Sequence, residues 1–335
     1  MVMKGYKLQN GKLVFEEMNF PSITENEVLV KIHAVSLNYR DILVTEGIGP
    51  WKSPDNRIPL SDGAGEIMEA GKLVNGFKKG DQVITVFSPN WIEGKLSSEK
   101  LKGRLGGPDQ DGVLAEYVAL PANAVCKFPD YLLYTEAATL PCAALTAWNA
   151  VIEQSTLKTG DSILLLGTGG VSCFALQFSK LAGYQIIHTS GSNEKLEKIK
   201  VLGAHFIINY KENKNWVSSV MDITNGEGVS QVVDVIGGNH INQSLKCLKS
   251  EGLISMIGVM EGTGGEIDTG MIMSKAARIE GVEVGSTEML KRMLHAMDVH
   301  KIIPIINKVF SFEQTPEAFA YLKTGNHLGK IGIQF

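Results

Sequence analysis

No stretch of 18 consecutive apolar residues occurs in this chain, so no helical membrane span is expected. Cysteine is scarce: Cys126, Cys142, Cys173 and Cys247 include no C-x-x-C pair, which argues against a disulfide framework or a zinc knuckle and fits a reducing compartment. Charge of one sign is also lacking, with 32 basic against 36 acidic residues, so no nucleic-acid partner is expected. Met1 to Gly11 has no apolar core of a signal peptide, which makes a cytoplasmic location the default. Histidines 33, 188, 205, 240, 295, 300 and 327 fall in no recognisable metal motif. Internal repeats and low-complexity segments are absent too.

What is abundant is glycine, 36 in 335 residues, well above the usual share of about 7%. The glycines lie in short clusters without a period, which excludes a collagen-like chain and points to many tight turns. The length suits roughly two domains of ~150 residues, and an apolar fraction of 44% supplies a core.

The first ~120 residues read as β-rich. Short runs at Val28–Val35, Gly65–Glu69, Gln82–Phe87 and Leu114–Leu120 are separated by Val74-Asn75-Gly76, Lys79-Gly80-Asp81 and Gly106-Gly107-Pro108. This spacing suggests a small barrel or sandwich. Tyr134–Val151 has helical character, with Pro141 at its start or at a kink. Strands at Ser162–Gly167, Gln185–Thr189, His205–Asn209, Gln231–Ile236 and Leu253–Val259 then alternate with helices at 171–182, 193–202, 213–224 and 240–249. That alternation predicts an α/β unit with a doubly wound parallel sheet. The tail after Gly262 is too short for a third domain and is expected to complete the first. The predicted division is residues 1–124 plus 266–335 around a nucleotide-binding unit at 125–265.

Gly167-Thr168-Gly169-Gly170-Val171-Ser172 follows a buried strand and opens a helix. Gly167 permits the turn, Gly169 and Gly170 let the backbone approach a pyrophosphate, and the helix N-terminus faces the anion. Thr168 and Val171 belong to the same loop. An NAD site places a carboxylate about 20 residues further on. His188-Thr189-Ser190-Gly191-Ser192-Asn193 contains none. Ser190, Gly191, Ser192 and Lys195 suit a 2′-phosphate instead, so NADP(H) is favoured over NAD(H). The same serines also suit helix N-caps.

Several segments carry a family resemblance. They are Leu37-Asn38-Tyr39-Arg40-Asp41, Pro59 to Glu66, Asp111 to Val118, Ala137 to Trp148 and the closing Gly329-Lys330. The chain resembles the medium-chain dehydrogenase/reductase superfamily, in its quinone oxidoreductase-like branch often labelled zinc-type alcohol dehydrogenase. The resemblance implies a GroES-like β-barrel catalytic domain with a Rossmann domain inserted in it. Zinc-dependent members hold their metal with Cys, His and Cys. This chain offers Asn38, Asp62 and Cys142 at those places, so no zinc is expected.

Without a metal, side chains must answer the charge that hydride transfer builds on an acceptor oxygen. Asn38 and Tyr39 are the candidate donors. Arg40 is either a fixed charge or a structural partner of Asp41. Asp62 is expected to orient Arg40 or Tyr39, or to cap Gly63. Gly63 and Gly65 are expected to keep a strand slim beside a substrate cleft between the domains. Trp51, Phe87 and Trp91 are candidate lining there. By resemblance, Gly258 and Val259 lie near the nicotinamide, and Lys330 either approaches the cofactor phosphates or is an exposed lysine. The reading is a zinc-independent reductase of quinones or α,β-unsaturated carbonyl compounds. An alcohol dehydrogenase and a non-catalytic NADPH-binding protein are the alternatives. A homodimer pairing through an edge strand at Leu253–Val259 is expected from the resemblance, or that strand is a covered one.

Overall fold

A computed structural model describes residues 2–335. They divide into two compact units, one running to Leu145 and resuming over Val284–Phe335, the other Thr146–Glu283. Both boundaries fall later along the chain than the sequence suggested. Tyr134 explains the first: its ring stacks on His33 of a long strand in the β-rich unit, holding the helical segment there. The second moves because Arg278–Gly281 is a strand of the nucleotide-type sheet.

The β-rich unit is built on the strand Glu27–Leu37, eight of whose residues pair in register with strand Asp62–Ala70. Its seven-stranded sheet runs Ile306–Ser311, Lys330–Gln334, Glu27–Leu37, Asp62–Ala70, Gln82–Thr85, Val125–Lys127, with Tyr117–Pro121 also on Glu27–Leu37. The last strand of the chain therefore lies antiparallel against one of the first, Ile331 opposite Leu37. A hairpin of Val2–Gln9 and Lys12–Asn19 turns at Asn10-Gly11, both with positive φ.

The other unit has six parallel strands in the order Phe206–Asn209, Gln185–Ser190, Ser162–Leu166, Val229–Asp234, Leu248–Met256, Arg278–Gly281. This is the doubly wound order, whose switch point lies between Ser162–Leu166 and Val229–Asp234. Every residue of Val229–Asp234 is buried, as a strand covered on both faces must be. The strand expected at Leu253–Val259 spans Leu248–Met256 and is paired on both sides. It therefore has no free edge for a second copy; Arg278–Gly281 is the edge. Instead of one helix over Tyr134–Val151 the chain forms short α turns with π-type turns at Leu140–Ala144 and Asn149–Glu153. Pro141, which cannot donate an i→i−4 bond, lies in the first of these. Among the described residues no helix is long and apolar enough to cross a membrane.

Gly65 serves packing inside the sheet rather than a cleft: a Cβ there would lie 2.1 Å from the backbone oxygen of Lys31. Gly65→Ala is predicted to cost about 1–3 kcal/mol in urea unfolding. Gly264→Ala, where a Cβ meets nothing within 4 Å, is the near-neutral control. Equal unfolding midpoints for the two would contradict this account.

Candidate active site

The loop after strand Ser162–Leu166 is held from behind. Gly167 takes φ +72°, its N–H donates to Thr189 O at 3.0 Å, and its carbonyl accepts from His188 Nε2 at 2.6 Å. Burial pushes the His188 ring down to about 4, so it is neutral at physiological pH, with Nε2 carrying the proton that Gly167 accepts. A Cβ added at Gly167 or Gly169 would meet nothing within 4 Å, leaving open space over the turn. Helix Gly170–Ala182 begins there with Gly169 as N-cap and no side-chain cap, so its first N–H groups are unspent. Ser172 Oγ donates to Leu166 O at 2.6 Å and ties the helix to its strand. Thr168 is buried and Val171 partly so. The loop fits a pyrophosphate, with backbone N–H groups and a positive helix end converging on empty space.

At the end of strand Gln185–Ser190, Ser190 is buried, its Oγ accepting from Ser192 N at 3.4 Å. Ser192 caps helix Asn193–Leu202 through Lys195 N, also at 3.4 Å. Around Gly191 two residues appear that the sequence reading missed. A Cβ at Gly191 would lie 2.7 Å from Lys211 Cε and 3.0 Å from the Tyr210 hydroxyl. Lys195 is partly buried and lies close enough to Lys211 that burial, then that second cation, pull its ammonium below the usual lysine range. Two lysines that repel each other beside serines are suited to an anion. Only the parallel pairing of Phe206–Asn209 with Ile187–Ser190 brings Lys211 here, so spacing along the chain did not reveal it.

Gly258 and Val259 lie beyond the strand Leu248–Met256. Gly258 N donates to Asp234 O at 3.0 Å, and a Cβ would strike the Val235 backbone at 1.8 Å. Asp234 itself is buried; its carboxylate accepts from Ile236 N, Gly237 N and Ser244 Oγ at 2.7–3.0 Å.

In the β-rich unit the predicted residues gather at one end of the sheet. Asn38 precedes helix Tyr39–Glu46, and its N–H donates to Asp41 Oδ2 at 2.8 Å. Tyr39 is 40% exposed. Arg40 takes the structural role: it donates to Leu105 O and Gly106 O at 3.2 Å, pairs with Asp41 at 3.5 Å and lies over the Phe87 ring. Phe87 and Trp91 are buried in that packing, and Trp91 Nε1 donates to Gly94 O.

Asp62 orients neither Arg40 nor Tyr39 and does not cap Gly63, whose N–H goes to Thr85 Oγ1 at 3.0 Å. Fully buried, it accepts from Ser61 Oγ at 2.7 Å and from Cys142 N at 3.2 Å. Its third neighbour is Lys330, with Nζ 4.0 Å from Asp62 Oδ2. Lys330 is thus not an exposed lysine: it is 2% exposed and donates to Leu37 O at 2.6 Å and to Asn38 Oδ1. Burial pulls its ammonium below the usual range, while Asp62 acts against that shift. Asp41 is pushed up to about 6 by burial, with Arg40 opposing.

Residues 24–130 match the family described as alcohol dehydrogenase GroES-like domain, and residues 170–298 the zinc-binding dehydrogenase family. A zinc-type alcohol dehydrogenase-like protein of Schizosaccharomyces pombe is 42% identical over 95% of this chain and 94% of its own length. The 2-methylene-furan-3-one reductase of Solanum lycopersicum is 32% identical over 93% of this chain and 73% of its own. A solved structure from Sinorhizobium meliloti 1021 has a TM-score of 0.94 at 37% identity, covering 100% of this chain and 99% of that one. The chain belongs to the medium-chain dehydrogenase/reductase superfamily. Its two units are the superfamily's GroES-like and Rossmann-type domains.

The residues at the family's metal positions make a poor donor set for the zinc in that family label. Zinc takes thiolate, imidazole and carboxylate ligands. Of the three residues at the metal positions, Asn38 gives its oxygen to an ammonium and Asp62 faces that same ammonium. Burial, then Asp62, push the Cys142 thiol up. Among the described residues no group of three or more His, Cys, Asp or Glu is placed to hold a metal ion.

His188 generates the prediction for this site. Its folded value of about 4 lies below the unfolded value near 6.5, so its contribution is full above about pH 6.5 and declines as pH falls towards 4. His188→Leu is expected to weaken NAD(P)H binding about tenfold by loosening the Gly167 turn. It is also expected to flatten the acid side of the stability profile between pH 6.5 and 4. A variant that binds NAD(P)H as well as wild type by fluorescence titration would remove His188 from the site.

Proposed function

We propose that this oxidoreductase uses NADPH to reduce conjugated carbonyl compounds or quinones, without zinc. The observation that carries the reading is the buried Asn38 amide, whose Nδ2 has no hydrogen-bond partner. A buried N–H₂ left unpaired is costly, and an acceptor oxygen that becomes negative during reduction is the partner that repays it. When bound, the nicotinamide cofactor supplies hydride. The Gly167–Val171 segment would hold the pyrophosphate, and Ser190, Ser192, Lys195, Lys211 and Tyr210 a 2′-phosphate. Tyr39, half exposed and adjacent to Asn38, is the proton donor in this reading.

A conjugated acceptor needs only hydride and a proton, whereas oxidising a simple alcohol calls for a group that lowers its pKa, usually a metal. The tomato relative, named as a reductase of an unsaturated furanone, agrees with that choice.

NADPH oxidation measured with quinones, enals, enones and simple aldehydes, with and without a chelator, tests the reading. Conjugated acceptors should be reduced at an unchanged rate in chelator. A preference for simple aldehydes, or loss of rate with chelator, would reverse it. Lys195→Ala and Lys211→Ala should each raise the KM for NADPH about tenfold while leaving that for NADH unchanged, since each removes a charge-assisted contact to phosphate.

A further inference from the structure

Asn38 is 8% exposed, and its two side-chain polar atoms are treated very differently: Oδ1 accepts from Lys330 Nζ, while Nδ2 has no partner. An asparagine amide has two near-equivalent orientations that exchange oxygen and nitrogen. An ammonium donates and cannot accept, so only one of those orientations is compatible with Lys330. The ammonium is anchored independently of Asn38, by Leu37 O at 2.6 Å and Asp62 at 4.0 Å. The Asn38 main chain is fixed as well, its N–H on Asp41 Oδ2 and its carbonyl accepting from Asp41 N at 3.0 Å. What remains is which way round the amide sits, and Lys330 sets that.

We infer that Lys330 is a positioning residue that locks the Asn38 amide with its N–H₂ unpaired, as the donor to the acceptor's carbonyl oxygen. A cation on Oδ1 also draws electron density from the amide, which makes Nδ2–H a stronger donor through a cooperative chain. In this way a buried lysine engages Asn38 and Asp62, two of the residues that stand at the family's metal positions. The inference rests on the reductase reading.

Asn38→Asp separates the two roles of the side chain. The carboxylate keeps an acceptor for Lys330 but has no N–H₂. It should lower kcat about 10²–10³-fold, the size of losing one oxyanion donor, with NADPH affinity unchanged. At Lys330, Gln still donates to Asn38 Oδ1 and Met does not, so Lys330→Gln should retain more kcat than Lys330→Met. Because either change strips Asp62 of its cation, both are also made together with Asp62→Asn. Equal kcat for the Gln and Met variants, at equal NADPH affinity, would overturn the positioning role. A further readout needs no turnover: the unfolding midpoints of Asn38→Leu, Lys330→Met and the double variant. The double variant should lose less than the sum of the singles, and additivity would overturn the contact. If wild type reduces no acceptor, the reductase reading fails while this cycle still decides the contact. If wild type is active and Asn38→Asp equally so, the inference fails and the reductase reading stands.

Discussion

A lysine ammonium shut away from water must have its charge answered nearby, and the answer to Lys330 dictates how the β-rich unit is assembled. Three strands deliver the parts. Ile331 lies opposite Leu37 in the antiparallel pair, so the next residues outward are Lys330 and Asn38. Ser36 lies opposite Asp62 on the other side of the same strand. One end of the sheet thus brings together residues from the beginning and the end of the chain. Removing one member of a buried ion pair costs about 3–5 kcal/mol, because the other charge is left stranded. The tail after Val284 is therefore needed to complete this unit.

The cluster also balances itself. Two cations, Lys330 and Arg40, meet two carboxylates, Asp62 and Asp41, and burial lifts Asp41 to about 6. A third anion from Cys142 would upset that balance; burial, then Asp62, push the thiol towards its neutral form. The Rossmann-type unit solves a different problem with a neutral group. His188, uncharged because it is buried, pins the carbonyl of Gly167, whose N–H is held by Thr189 O, and the helix that follows starts without a side-chain cap. In each unit a buried polar side chain fixes the orientation of a neighbour.

Local signals carried the nucleotide-type unit well. Helix Asn193–Leu202 has the bounds its pattern implies, and Ser162–Leu166 and Gln185–Ser190 differ from expectation by one residue. A strand buried on both faces and a glycine turn at a helix start both leave marks in contiguous sequence. Asn10-Gly11 marked its hairpin just as plainly, as the turn with two positive φ residues that such a dipeptide favours, and went unread. Arg278–Gly281 left a weaker mark, since four residues containing Arg and Glu do not resemble a buried strand. Lys211, Tyr210 and the true surroundings of Lys330 were not legible at all. Their roles arise from strand pairing between distant segments, and a lysine's chemistry reads the same in any sequence whether its end is wet or buried.

The departure from a zinc-binding pattern gains a physical meaning once Lys330 is included. Taken singly, Asn38 and Asp62 look like lost ligands. Taken with the ammonium, an amide oxygen and a carboxylate are the acceptors a lysine requires, and a thiolate or imidazole would serve it less well. The three residues make sense only as a set: Asp62 neutralises Lys330, Lys330 orients Asn38, and Asn38 keeps a donor free. A metal polarises an oxygen directly, whereas in the proposed reductase this arrangement would reach it through one intervening amide. The weaker polarisation suits an acceptor whose conjugation already spreads the incoming charge, and suits poorly an alcohol that must first give up its proton.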